Sequence, residues 1–82
     1  MFRTLAQTGQ VDVDERAYVV HYFEHRTARG ARRFSAEIVV GPDDRIILDD
    51  DSLPSLQARV ARLAPATIYS RALAARAPSV AA

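Results

Sequence analysis

Residues 17–49 read AYVVHYFEHRTARGARRFSAEIVVGPDDRIILD, and this stretch decides the fold. It holds three runs rich in Val, Ile, Tyr and Phe, whose branched or flat side chains suit a pleated strand. The polar segments TARG and GPDDR separate the runs. Gly30 can adopt the positive φ that a hairpin loop needs, and Pro42 followed by Asp43 is typical of a type I turn. The stretch therefore predicts a three-stranded antiparallel β-meander with strand order 1-2-3.

The pairing of the first two strands follows from a loop that is symmetric about Ala28 and Arg29, which places Phe23 opposite Phe34. A slip of one residue would put these two rings on opposite faces of the sheet. The face that we expect the helices to cover carries Val19, His21, Phe23, His25, Arg32, Phe34, Ala36, Ile38 and Val40. The other face carries an apolar and aromatic surface, the predicted contact patch, made of Tyr18, Val20, Tyr22 and Val39.

The loop between the second and third strands decides which side of the last strand is buried. A five-residue loop turns Ile46 and Leu48 toward the covered face and Ile47 away from it, and a four-residue loop does the opposite. We prefer the five-residue loop because it buries two large side chains instead of one, at about 1.5–3 kcal/mol for each.

The C-terminal part of the chain predicts helices. Asp51 and Ser52 followed by Leu53-Pro54 form a helix-start signal, with an oxygen-bearing cap and a proline in the first turn. The apolar side chains that follow form a stripe about 100° wide on a helical wheel. Continued past Pro65, the stripe rotates, so the sequence predicts two helices within residues 52–77, broken at Pro65 and packed on one face of the sheet.

Length and composition predict one small α+β domain that spans residues 1–82. Residues 1–16 form either a short extra strand or a frayed terminus, and residues 78–82 are expected to be a disordered tail. The chain has no cysteine, so neither a disulfide nor a thiolate metal site stabilises it. A core of this size supplies only a few kcal/mol, and homo-oligomerisation is the remaining common route to stability.

The net charge is +1, which gives the whole molecule no pull toward nucleic acid or membrane. No apolar run approaches the roughly 18 residues that a membrane span needs, and no signal peptide opens the chain. We therefore expect a cytoplasmic protein without a membrane partner.

His21-Tyr22-Phe23-Glu24-His25 matches H-x-x-E-H, the zinc signature of the inverzincin peptidases. On a helix the two imidazoles could grip one zinc ion while the glutamate acts as a base. In a strand, positions four residues apart lie about 13 Å from each other, and the glutamate faces the other side. Because the flanking residues favour a strand, a zinc hydrolase is only a remote alternative.

The acidic residues Asp43, Asp44, Asp49, Asp50 and Asp51 could supply oxygen ligands to Mg²⁺ or Ca²⁺. They lack the spacing of an EF-hand loop, and a solvated turn plus a helix cap explains each of them. We therefore expect no metal and no cofactor, and no catalytic residues are identified.

Three arginines, Arg26, Arg29 and Arg33, crowd the first hairpin and could contact nucleic-acid phosphates, with nearby tyrosines stacking on bases. The alternative is interaction with protein, because a three-stranded meander leaves two edges unpaired and the contact patch is apolar. No specific activity can be read from the sequence. The first expectation is a non-enzymatic module that interacts with itself, as a homo-oligomer, or with another protein, and the second is a nucleic-acid-binding module.

Overall fold

The computed structural model describes residues 3–76. Its elements are β1 (Arg3–Val13), β2 (Arg16–Arg26), β3 (Arg32–Gly41), β4 (Asp44–Asp50) and α1 (Leu53–Arg76). The strands form one antiparallel sheet in the order β1-β2-β3-β4, and α1 packs on one of its faces. The prediction of an α+β fold with an antiparallel meander and a C-terminal helical part is confirmed. The expected counts of three strands and two helices are wrong, and the predicted tail at residues 78–82 lies outside the described residues.

The additional strand is β1, which is 11 residues long and pairs with β2 from Arg3 opposite His25 to Val13 opposite Arg16. Its pairing is interrupted once, by a bulge at Ala6. The sequence signal for this strand is weak because polar residues dominate one of its faces and the other face has only Val11 and Val13 against the core. Since β1 covers β2, the strand that was predicted to be an exposed edge lies in the interior of the sheet.

The register between β2 and β3 differs by one residue from the predicted register. Val20 pairs with Ile38 and Tyr22 with Ala36, whereas Phe23 lies opposite Ser35. The faces of β3 were predicted correctly, and those of β2 were inverted.

The physical reason is the length of the first loop. The N–H of Thr27 donates to the carbonyl of Ala31 at 2.9 Å, and the N–H of Gly30 donates to the carbonyl of Thr27 at 2.9 Å. The N–H of Ala31 also donates to the hydroxyl of Thr27 at 3.2 Å, and Gly30 has the expected positive φ of 81°. Ala31 therefore belongs to a five-residue loop centred on Arg29, which moves the pairing by one residue.

This register buries most of the predicted contact patch. Val20 is 0% exposed and Tyr22 6% exposed, both beneath α1, while Tyr18 packs against the edge of the same core. Val39 lies on the opposite face and is 38% exposed. The prediction that these four residues share one exposed surface is wrong. The buried hydrophobic core consists of Val20, Tyr22, Phe34, Ala36, Ile38, Ile46, Leu56, Val60, Ala64 and Ile68.

The last strand has the expected orientation. Ile46 is buried and Leu48 packs against the core, while Ile47 is 64% exposed. The loop itself is tighter than predicted, because Gly41 pairs with Asp44 and a register shift follows Val39. A bulge therefore supplies the offset that the prediction assigned to a longer loop.

The helix begins at Leu53, as predicted. The N–H of Ser55 donates to the hydroxyl oxygen of Ser52 at 3.2 Å, so Ser52 is the N-cap. Asp50, at the end of β4, ties the strand to the helix: its carboxylate accepts hydrogen bonds from the hydroxyl of Ser55 at 2.8 Å and from Nε of Arg59 at 3.3 Å. The Ser55 hydroxyl and the neighbouring backbone N–H lower the pKa of Asp50 to about 2.

Pro65 does not break the helix. The buried positions Leu56, Val60, Ala64 and Ile68 continue across it at a constant spacing of four residues. Because four residues exceed one turn of 3.6, such a row drifts steadily around the helix. The rotation of the apolar stripe past Pro65, from which two helices were predicted, is this drift. The helix α1 remains continuous on the twisted sheet. Pro65 lacks the N–H that would bond the carbonyl of Ala61, an exposed residue.

Replacing Asp50 with Asn should lower the stability of the protein, and the loss should depend on pH. The unperturbed pKa is 3.8 and the pKa in the folded chain is about 2, so this stabilisation is fully present above pH 3.8 and is lost as the pH falls toward 2. Urea unfolding of wild type and variant across this range measures it. Asp43→Asn, in the exposed β3–β4 turn, is the control. A stability difference for Asp50→Asn that stays constant down to pH 2 would contradict the assignment.

Replacing Pro65 with Ala should stabilise the protein by about 1–3 kcal/mol, because it restores one helical hydrogen bond and removes a clash within a continuous helix. The lost rigidity of the unfolded chain offsets only part of this gain. Guanidinium unfolding measures the difference. An unchanged or lower stability would indicate that the helix is interrupted at this residue.

Candidate functional site: the uncovered face of the sheet

The face of the sheet opposite α1 is not covered by any described residue, and we call it the open face. Side chains alternate along each strand, so the positions between the core residues point to this face. Its residues are Arg3, Leu5, Thr8, Gln10, Asp12, Ala17, Val19, His21, Phe23, His25, Arg33, Ser35, Glu37, Val39, Arg45, Ile47 and Asp49.

Several apolar side chains of the open face are exposed to solvent. Leu5 is 53% exposed, Val19 45%, Val39 38% and Ile47 64%. They come from all four strands, and Phe23 lies half-buried among them. Exposed apolar residues gathered on one surface are more informative than the same number scattered singly.

The centre of the open face is a buried carboxylate. The side chain of Glu37 is only 6% exposed, and it forms ion pairs with Arg3 from β1 and with Arg45 from β4, the latter at 3.1 Å. The guanidinium carbon of Arg3 also lies 4.0 Å from the centre of the Phe23 ring. Two cations from the two edge strands therefore neutralise an acid on a central strand, and one of them lies over an aromatic ring.

A second ion pair flanks this centre. Nη2 of Arg33 donates to Asp49 at 2.8 Å, and this contact raises the pKa of Arg33. Ser35, between the two ion pairs on β3, is 9% exposed. The charged groups of the open face are thus bonded mainly to each other, which lowers the cost of removing water from them.

The three arginines predicted to contact nucleic acid do not form one surface. Arg33 lies on the open face and is paired with Asp49, whereas Arg26 faces the helix side and donates to the carbonyl of Gly30 at 2.9 Å. Arg29 sits at the tip of the loop and is exposed. Since these side chains point in different directions, they do not create the basic groove that a phosphate backbone would follow.

The H-x-x-E-H residues lie on β2, so they have the extended geometry that the sequence predicted. His21 and His25 point to the open face. Glu24 points to the helix side, where Arg32 donates two hydrogen bonds to it at 2.9 and 3.1 Å and lowers its pKa. These three side chains therefore do not converge on one metal ion.

The acidic residues of the second turn and of β4 do not gather around one point, and several of them are bonded to other side chains. Asp44 pairs with Arg71, Asp49 with Arg33, and Asp50 with Ser55. In residues 3–76, no group of three or more His, Asp or Glu side chains is placed to hold a metal ion.

A groove of about 610 Å³ lies beside the β1–β2 turn; its lining residues are Val13, Asp14, Glu15, Arg16, Tyr18, Tyr69 and Ala72. Asp14 and Glu15 hold the turn in left-handed conformations, with φ of 51° and 66°. The buried polar side chains of the described chain are Ser35, Glu37 and Asp50, and none of them lines the groove. The groove therefore lacks the convergent buried polar groups of a small-molecule site.

Comparisons with protein-family models, with curated proteins and with solved structures found no match. Within residues 3–76, α1 is too polar to cross a membrane. Function must therefore be inferred from the contacts of the open face and of the strand edges.

Replacing Glu37 with Gln should destabilise the protein by about 1–3 kcal/mol, because two guanidiniums lose the carboxylate that neutralises them. Thermal or denaturant unfolding measures this loss. Glu24→Gln is the matched control: it removes an ion pair with Arg32, whose side chain is 58% exposed, and should change stability much less. Equal effects of the two substitutions would show that the burial of Glu37 has no energetic consequence.

Proposed function

We propose that this protein is a non-enzymatic interaction module that binds a protein partner through the open face of its sheet. The observation that supports this proposal is the asymmetry of the sheet. One face is covered by α1, while the other exposes Leu5, Val19, Val39 and Ile47. A small domain that leaves large apolar side chains from every strand of one face in water gains free energy when a partner covers them.

The composition of the open face also suits a protein interface. Interface centres are enriched in aromatic residues and arginine, and they are poor in unpaired charge. Here the guanidinium of Arg3 lies over the Phe23 ring, and Glu37 is held by two arginines. At the centre of the open face a partner would meet charges that are already compensated, so their desolvation opposes binding less than that of isolated charges would.

Catalysis is less well supported by the same contacts. The carboxylates of Glu37, Asp49 and Glu24 are each bound by an arginine side chain. A general base needs a free lone pair and a pKa near the working pH. The pKa of Glu24 is shifted in the other direction, toward lower values.

Replacing Ile47 with Asp should weaken partner binding by about tenfold or more, because it places a charge at the most exposed apolar position of the open face. Immobilised wild type and Ile47→Asp would be incubated with extract of the source cells, and the retained proteins quantified. Leu73→Asp is the matched control, since Leu73 is 49% exposed on α1, on the other side of the molecule.

We expect a set of proteins retained by wild type and by Leu73→Asp but lost from Ile47→Asp, with circular dichroism showing that all three are folded. If every retained protein binds Ile47→Asp as well as it binds wild type, the proposed role of the open face is wrong.

A further inference from the structure

The edge of the sheet at β1 has the features of a pairing site. Of its 11 residues, eight are exposed and three are half-buried. The outer backbone groups of an edge strand can pair with another strand. Between Arg3 and Asp12 the strand contains neither proline nor a charged residue, so two of the usual features that prevent such pairing are absent, and the bulge at Ala6 is the only interruption of this segment.

The opposite edge is different. The strand β4 has only seven residues, and four of them are charged: Asp44, Arg45, Asp49 and Asp50. Short, charged edges resist the addition of another strand. The two edges of the sheet are therefore not equivalent, and β1 is the one suited to pairing.

The side chains of β1 on the open face have a symmetric arrangement. Because of the bulge at Ala6, the β1 side chains on the open face are those of Arg3, Leu5, Thr8, Gln10 and Asp12. Thr8 is the middle residue of these five, with two open-face residues on each side of it, and the two end residues, Arg3 and Asp12, have opposite charges. Such a strand complements a second copy of itself running in the antiparallel direction, as a twofold axis requires.

We propose that two copies of this chain pair through β1, antiparallel, about a twofold axis that passes through Thr8. In this register Thr8 lies opposite the partner's Thr8, Gln10 opposite the partner's Leu5, and Asp12 opposite the partner's Arg3. In both copies Ala6 is the extra residue of the bulge and has no directly opposite partner. An ion pair between Asp12 of one copy and Arg3 of the other therefore forms at each end of the paired segment.

The charges at the two ends favour this register. In the described chain, Asp12 accepts a hydrogen bond from the amide of Gln10 at 3.0 Å and no arginine contacts it. Arg3 is 51% exposed even while it holds Glu37, and a guanidinium has five donors. An axis at Gly9 would place Asp12 against the partner's Leu5, and an axis at Gln10 would place it against the partner's Thr8. Neither supplies a cation.

A twofold axis normal to the sheet places the open faces of both copies on the same side of the dimer. The dimer would therefore have one continuous eight-stranded sheet, with both helices on one side and both open faces joined on the other. This inference concerns the strand edge and does not depend on the proposed use of the open face. The two can fail separately.

A single cysteine at position 8 tests the register, because the natural chain has no cysteine. Directly paired residues of antiparallel strands have Cα atoms about 4.5–5.5 Å apart, within the range that a disulfide spans. Thr8→Cys should therefore form a covalent dimer rapidly in a glutathione redox buffer. Gln10→Cys is the matched control on the same face of the same strand, and its sulfur would lie about 13 Å from its symmetry mate.

Rapid cross-linking of Thr8→Cys and slow cross-linking of Gln10→Cys support the proposed dimer. Equal rates, or faster cross-linking of Gln10→Cys, would overturn the register. Sedimentation equilibrium of the unmodified chain gives the second measurement: a monomer at millimolar concentration would overturn the dimer itself.

The charged ends are tested by Asp12→Arg, which puts two arginines opposite each other at both ends of the segment. The dimer should weaken about tenfold or more. Asp43→Arg changes the net charge by the same amount in the exposed β3–β4 turn and should leave the dimer unchanged. Equal dissociation constants for the two variants would overturn the proposed contact between Asp12 and the partner's Arg3.

Discussion

The structure depends on the hydrogen bonds that close the loop between β2 and β3. Thr27 donates to Ala31, accepts from Gly30, and binds the Ala31 N–H through its hydroxyl. These contacts make the loop five residues long, and the loop length fixes which side of β2 faces the helix. With this register Val20 and Tyr22 enter the core. With a loop one residue shorter, their neighbours would do so, and the open face would carry a different set of residues.

The sequence predicted the elements whose two sides differ in polarity. In β3 the apolar residues Phe34, Ala36 and Ile38 alternate with polar ones, and the predicted face is correct. In β2 the alternation is weak, since Val19 and Val20 are adjacent and equally suited to burial. Only the loop could decide between them, and a threonine side chain that closes a loop leaves no periodic signal. The strand β1 was hidden for a related reason: as an edge strand with few core contacts, it needs little apolar patterning.

The open face could be predicted only in part. Its members on β3 and the exposure of Ile47 followed from alternation, but the contact between Arg3 and Glu37 joins residues 34 positions apart. Such a contact requires β1 to be in place, and sequence spacing alone does not reveal it. The same holds for Pro65, where a local rule for helix ends was outweighed by the tertiary packing of Ala64 and Ile68 on both sides of it.

The basic residues of the chain are all arginine, and this has a consequence for alkaline conditions. The ordinary pKa of a guanidinium lies well above that of a phenol. The group that responds first in the core is a phenol: burial beneath α1 raises the pKa of Tyr22 above its usual 10.0. Above pH 10 the unfolded chain releases that proton more readily than the folded one, so the free energy of unfolding decreases. At alkaline pH the folded chain is therefore destabilised from its interior, by ionisation of Tyr22 beneath the helix.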